Sequence, residues 1–154
     1  MLAVLSLALA LLAVAVVYGT DVFFAVVGRA ALANSSDAAV AEVIGNIHAV
    51  ADVRMPFFAA TGLLGSILSL LFVGISQPRS VVMVLVIVLL LVHMGLYFTQ
   101  ARPINRQFVS AVQCGNVLAE ARTLQQTWDQ IVVIRAVLLT FAMMGLIILI
   151  LSVN

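Results

Sequence analysis

A few ionisable side chains stand inside the long apolar runs of this chain, and each needs a chemical reason to be there. Asp21 follows Tyr18 by almost one helical turn. His48 and Asp52 are spaced i, i+4 and share a helix face. In such a pair the carboxylate can fix the histidine tautomer, which suits proton transfer or the orienting of a second group. His93 and Tyr97 repeat the spacing. Trp128 and Arg135 lie seven residues apart, two turns along one face. A charge at bilayer depth costs about 2.5–3.5 kcal/mol on insertion scales. Arg135 therefore needs an acid, a carbonyl or a ligand anion, and Asp21 and Glu120 are its candidate partners. Each residue also has a structural reading: Asp21 as an interfacial ion-pair member, His48–Asp52 as a surface pair, His93 as an interhelical hydrogen-bond partner, and Trp128 as part of the interfacial aromatic belt.

Residue counts test whether these groups could meet. From the turn at Asn34, Asp21 is thirteen residues back and His48 fourteen forward, so the two lie at similar height. With His93 and Arg135 they could surround one polar cavity, as bundle cores do when facing helices build a site. A haem held by His48 and His93 is not expected. Counted from Pro78, the two histidines differ by fifteen residues, or about 22 Å along the axis. Clustered ligands for zinc or copper are missing from the sequence, so no metal and no bound cofactor is expected. A Gly-x-Ser-x-Gly elbow and a glycine-rich phosphate loop are also missing, and Cys114, the one cysteine, has no histidine near it in sequence. Gly62 with Ser66, and Gly65 with Ser69, form small-xxx-small faces suited to close helix packing.

The elements that must position these residues follow from composition. Of 154 residues, 65% are hydrophobic and only 8% charged, and the mean hydropathy is +1.28. Soluble domains carry about 25% charged residues, so an ordinary soluble fold and a disordered chain are excluded. Nucleic-acid binding, which needs a dense basic surface, is excluded with them. All seven basic residues are arginine and the formal net charge is +1.

A bilayer core takes about 20 apolar residues as helix, and four segments qualify: 2–27, 55–75, 81–99 and 131–153. The ten-residue alternation of a membrane β-barrel is not seen. The expected fold is an all-α, integral membrane four-helix bundle, a single domain over 1–154, with extended helical ends on one side. The first eighteen residues resemble a signal peptide in hydropathy but lack its basic start and a clear cleavage site, so they read as a retained helix.

Gln77-Pro78-Arg79 predicts a tight hairpin turn. Asn34-Ser35-Ser36-Asp37 predicts a turn ending in a helix cap, with the second helix starting near Ala38 and kinked at Pro56. Arg102-Pro103-Ile104 predicts a break after the third span, and 108–128 a further helix leading into the fourth. The first and third connections hold Arg29, Arg54, Arg102, Arg106 and Arg122, against only Arg79 opposite. That bias predicts cytoplasmic long connections and termini outside, in a plasma membrane of bacterial type.

Four short spans, Pro103-Ile104-Asn105 after the third, and Trp128 to Arg135 entering the fourth resemble the anthrone-oxygenase-like family of small membrane proteins, most of them uncharacterised. The likeness covers the whole chain in topology and these few residues in detail. It implies a cofactor-independent oxidation of a reduced polycyclic phenol by dioxygen, with Asn105, Trp128 and Arg135 lining the substrate cavity. Arg135 would stabilise the phenolate, and Asp21 or a histidine would be the base. The family pattern usually has a histidine four residues after the tryptophan, where this sequence has Val132; His93 or His48 would have to take its place. Two function classes result. One is a small membrane enzyme acting on a lipophilic aromatic or quinol-like molecule, with Tyr97 and His48 also facing the ligand. The alternative is a non-catalytic accessory subunit of a larger membrane complex, or a homo-oligomer, whose arginines and histidines make interchain contacts. A channel would need a polar stripe along a whole span, and none has one.

Overall fold

The apolar runs fold into four long helices in the computed structural model, which describes residues 1–116 and 118–152. They are α1 (Leu2–Ala33), α2 (Asp37–Val73), α3 (Ser80–Cys114) and α4 (Ala121–Leu151), each long and apolar enough to cross a membrane. The chain is an all-α four-helix bundle, without a strand among the described residues. Each helix packs against its sequence neighbours, and α1 closes the ring against α4. The outward faces stay apolar: Leu12, Leu71, Val81 and Phe141 all point away from the bundle. On a soluble protein so much exposed apolar surface would aggregate; against lipid tails it is the favourable solution.

The helices outlast the bilayer. Helices of 31–37 residues run to about 46–56 Å, against a hydrocarbon core of about 30 Å. The start of α2 at Asp37 follows the expected cap, with the Ser36 hydroxyl accepting from the Ala39 N–H at 3.3 Å. Arg122, at the start of α4, staples this turn. It donates to Leu32 O at 2.9 Å, to Ser35 O at 2.7 Å and to Asp37 Oδ1 at 2.7 Å. One guanidinium thereby ties together the carbonyls of the turn between α1 and α2, adding to the bond that Leu32 O already accepts from the Ser35 N–H.

Two expectations about the third connection are corrected. The third helix does not break at Arg102-Pro103-Ile104 but runs on to Cys114. A wider π-helical turn at Tyr97–Ala101 ends two residues before Pro103, which then sits in the first turn of the resumed α-helix, where its missing N–H costs little. The helix expected over 108–128 is in fact interrupted. Gly115 takes φ +65°, a left-handed helix end in which the Asn116 N–H reaches Ala111 O at 2.9 Å. Helix resumes at Ala121. The fourth helix is described to Leu151, and the expected end of the last span at Val153 lies outside the described residues. Helix α2 continues unbroken through Pro56.

The small-residue faces of α2 pack on α1. A Cβ at Gly65 would meet Ser6 O at 2.9 Å and the Ala10 Cβ at 3.1 Å, and the Ser69 hydroxyl donates across to Ala3 O at 3.2 Å. The interior holds two apolar clusters. One gathers Phe24, Ile44, Phe108, Trp128 and Val132; the other gathers Leu7, Val17, Leu90, Leu139 and Leu146. Asp21 on α1, His93 on α3 and Arg135 on α4 fall between them in sequence.

Because α1 and α2 touch at Gly65, Gly65→Leu is expected to destabilise the bundle by about 1–3 kcal/mol through overpacking. Thermal melts in detergent measure this. Gly95→Ala, at a site with open space around it, is the control and should leave the midpoint within about a degree or raise it slightly.

Candidate functional site

The three charged or ionisable groups of the middle layer meet directly. Arg135 Nη2 donates to Asp21 Oδ1 at 3.0 Å, His93 Nε2 lies 3.1 Å from Asp21 Oδ2, and Arg135 Nε lies 3.2 Å from the same His93 Nε2. All three are buried, at 3% (Asp21), 3% (His93) and 8% (Arg135) exposure. Asp21 is thus the partner of Arg135; Glu120 is not needed. In a low-dielectric interior a lone charge is untenable, and the pair is held there by mutual compensation.

The triad has an internal conflict. A single imidazole nitrogen cannot serve both neighbours. Protonated, Nε2 donates to Asp21 and turns an N–H toward the Arg135 N–H. Bare, it accepts from Arg135 and leaves Asp21 Oδ2 unsatisfied. Either tautomer leaves the cluster one hydrogen bond short. Arg135 also carries five N–H donors, of which Asp21 and His93 take at most two. The Arg135 guanidinium lies 5.7 Å from the centroid of the Tyr97 ring, a cation–π distance.

The triad opens on a cavity lined by all four helices. Asp21, His48, His93, Tyr97, Asn105, Trp128 and Arg135, singled out on separate grounds above, all line it. The space open to water-sized molecules is about 70 Å³. It is not sealed: Ile47 on α2 and Phe98 on α3 are lining residues exposed on the outer surface. That seam lies between the outward faces of α2 and α3.

At the far end, Trp128 is wedged between two rings. Phe24 packs edge-on at 5.2 Å between centroids and His48 at 5.3 Å, arrangements favoured by the ring quadrupoles. His48 and Asp52 share their helix face as expected, but no bond joins them among the described residues. Asp52 instead accepts from Asn105 Nδ2 at 2.8 Å. Because Asp52 can only accept when ionised, that contact fixes the amide orientation and leaves Asn105 Oδ1 free. Buried polar atoms without a partner gather here: His48 Nε2, Asn105 Oδ1 and Trp128 Nε1. Unpaired groups of this kind cost about 1–3 kcal/mol each.

The axial count that set His48 and His93 about 22 Å apart is too long. His48 touches Trp128 and His93 touches Arg135, two turns of α4 that span about 10 Å. Crossing helices shorten a separation that counting along the axes exaggerates. The histidines nonetheless face different parts of the cavity wall, His48 against Trp128 and His93 against Arg135. Among the described residues, no group of three or more His, Cys, Asp or Glu side chains is placed to hold a metal ion.

Sequence reasoning missed Phe24, Met94 and Phe98 in the lining, and the role of Asp52 as anchor for Asn105. A usable signal existed for part of it. Phe24 is three residues from Asp21, so helical spacing from a recognised polar residue would have found that part of the wall; Met94 and Phe98, one and five residues from His93, lie off its face and carried no such signal. Both π-helical turns begin at this wall, at Phe24 and at Tyr97. Such turns swing side chains out of register and recur at functional sites.

Comparison with protein-family models, with curated proteins and with solved structures gives no match.

The buried pair makes a direct prediction. Arg135→Ala is expected to cost about 3–5 kcal/mol, since it strands the Asp21 charge. Asp21→Leu combined with Arg135→Met should cost clearly less than the sum of the two single changes, with a coupling of at least about 1 kcal/mol. Additive losses in a thermal double-mutant cycle would show that the two side chains do not depend on each other.

Proposed function

We propose that the cavity receives a flat, lipophilic phenol or quinol from the membrane, and that Asp21, His93 and Arg135 handle the proton and charge of its hydroxyl. One observation carries this reading: a mutually compensated, buried Asp–His–Arg cluster, one hydrogen bond short, borders an apolar cavity that opens on the outer surface beside Ile47 and Phe98. A packed structural ion pair needs no such opening. The aromatic lining of Phe24, Tyr97, Phe98 and Trp128 suits the ring; the narrow interior suits entry edge-on, with part of the ring left in the seam.

The chemistry proposed is the one the anthrone-oxygenase-like resemblance implies. His93 takes the proton of the bound hydroxyl. Asp21 holds the resulting imidazolium, and spare N–H donors of Arg135 face the phenolate oxygen, stabilising charge as it develops. The electron-rich carbon across the ring then reacts with dioxygen. For an anthrone-type methylene, two C–H bonds are lost, one oxygen atom becomes the new carbonyl, and the other leaves as water. Balance requires nothing beyond substrate and dioxygen. In this reading His93 stands in for the family histidine that Val132 replaces. Asn105, Trp128 and His48 contact the far side of the ligand. The arginine bias supports cytoplasmic long connections and termini outside, in a plasma membrane of bacterial type.

The test uses the full chain in liposomes with anthrone as substrate, read by an oxygen electrode and by appearance of anthraquinone. The expected result is one dioxygen consumed per anthrone at a rate well above protein-free liposomes. His93→Gln should lower the rate by about a hundredfold or more while leaving the melting midpoint within a few degrees. A rate no different from empty liposomes would rule out the oxidation.

A further inference from the structure

The triad occupies only one end of the cavity. At the other, three buried polar atoms lack partners: Trp128 Nε1, Asn105 Oδ1 and His48 Nε2. They come from three different helices, α4, α3 and α2, and all three side chains line the cavity. His48 packs on the Trp128 ring, while Asn105 is tied to Asp52, one turn along α2 from His48, so they belong to the same stretch of wall.

Their chemistry is complementary. The indole N–H can only donate. Asn105 Oδ1 can only accept, since its amide nitrogen is engaged by Asp52. The imidazole nitrogen does either, according to its tautomer. A hydroxyl, which donates and accepts at once, satisfies both Trp128 and Asn105. A carbonyl oxygen satisfies Trp128 and leaves Asn105 unpaired. Spacing adds a second constraint. The backbone positions of Trp128 and Arg135 are two turns, about 10 Å, apart on one face of α4, so a ligand that meets both side chains needs its two oxygens on opposite sides of a ring.

We infer that Trp128, Asn105 and His48 form a second hydroxyl site, and that the ligand is a ring carrying two para oxygens, bound in its reduced, dihydroxy form. One hydroxyl meets the triad and the other meets Trp128 and Asn105. This inference rests on the reading of the cavity as an aromatic-binding site and narrows its ligand class. The para carbon of such a ring already carries oxygen, so its reaction is quinol oxidation and not the methylene oxygenation above: dioxygen takes two electrons and two protons and leaves as hydrogen peroxide, and both hydroxyls become carbonyls. Asn105 then loses its donor, so the oxidised ring is held less tightly and leaves.

Calorimetric titration of the full chain in lipid nanodiscs under argon tests it, with empty nanodiscs subtracted and three probes: 1,4-dihydroxynaphthalene, 1-naphthol and 1,4-naphthoquinone. The dihydroxy compound is expected to bind about tenfold tighter than either of the others, the worth of one well-made hydrogen bond. Trp128→Phe and Asn105→Leu should each erase that margin, so that on either variant 1,4-dihydroxynaphthalene binds no tighter than 1-naphthol does on the same variant. Trp128→Phe preserves the ring packing and decides the matter alone if Asn105→Leu, which also frees Asp52, fails to fold. Equal binding of 1,4-dihydroxynaphthalene and 1-naphthol, or a margin that survives Trp128→Phe, overturns the hydroxyl site and leaves the aromatic cavity standing. Binding of none of the probes removes both.

Discussion

The ion pair between Asp21 and Arg135 is the interaction on which the rest of the bundle depends. Neither charge is tolerable at that depth without the other, so α1 and α4 must present these two positions face to face. That requirement sets the mutual rotation of the two helices. The rotation in turn carries Phe24 and Trp128 into edge-to-face contact and brings Val17 and Leu139 into one apolar cluster. His93 then fixes α3 against the same carboxylate. The polar layer thus works as a register pin in a fold whose remaining contacts, between interchangeable Leu, Val and Ala, specify rotation weakly.

A register pin could be fully satisfied and sealed, and this one is neither. His93 Nε2 is claimed by two neighbours, and the cavity beside it reaches the outer surface next to Phe98. The π-helical turns at Phe24 and Tyr97 add to the picture, since each gives up regular helical hydrogen bonding where its helix lines the cavity. Imperfect hydrogen bonding in a solvent-poor interior is costly. Three of the four buried unpartnered polar atoms among the described residues, Gln125 Oε1 being the fourth, belong to residues lining this cavity, beside the doubly claimed His93 Nε2, which is why the cavity is read as a site and not as a packing fault.

Much of this was legible in the residues. The four apolar runs fix four helices because only helices and closed β-barrels satisfy their own backbone in lipid, and the barrel's ten-residue alternation is missing from the sequence. The cost of burying charge marked Arg135 as needing a partner and put Asp21, beside Glu120, among the candidates before any geometry was known. The overturned expectations have physical causes. Arg102-Pro103 looks like a helix end, because a proline usually is one; the π-helical turn before it accommodates the ring, and nothing in the local sequence announces that turn. The break at Gly115 was hidden inside a continuous amphipathic pattern, and only its left-handed backbone makes the glycine decisive. His48–Asp52 carried the right spacing for a bond. Tertiary packing instead gave Asp52 to Asn105 and His48 to Trp128, partners from other helices that helical periodicity cannot reveal.

The account stands on the claim that the Asp21–His93–Arg135 cavity exists to hold a small lipophilic aromatic. Mass spectrometry of the full chain, extracted from its own membrane in mild detergent and sprayed intact, addresses that claim most directly. The account predicts a chain released without stoichiometric protein partners and carrying one aromatic or quinol-type molecule per cavity, lost when Arg135 or His93 is replaced. Recovery of stoichiometric partner chains with no small molecule bound would contradict it, and would make the buried cluster part of an accessory subunit's packing.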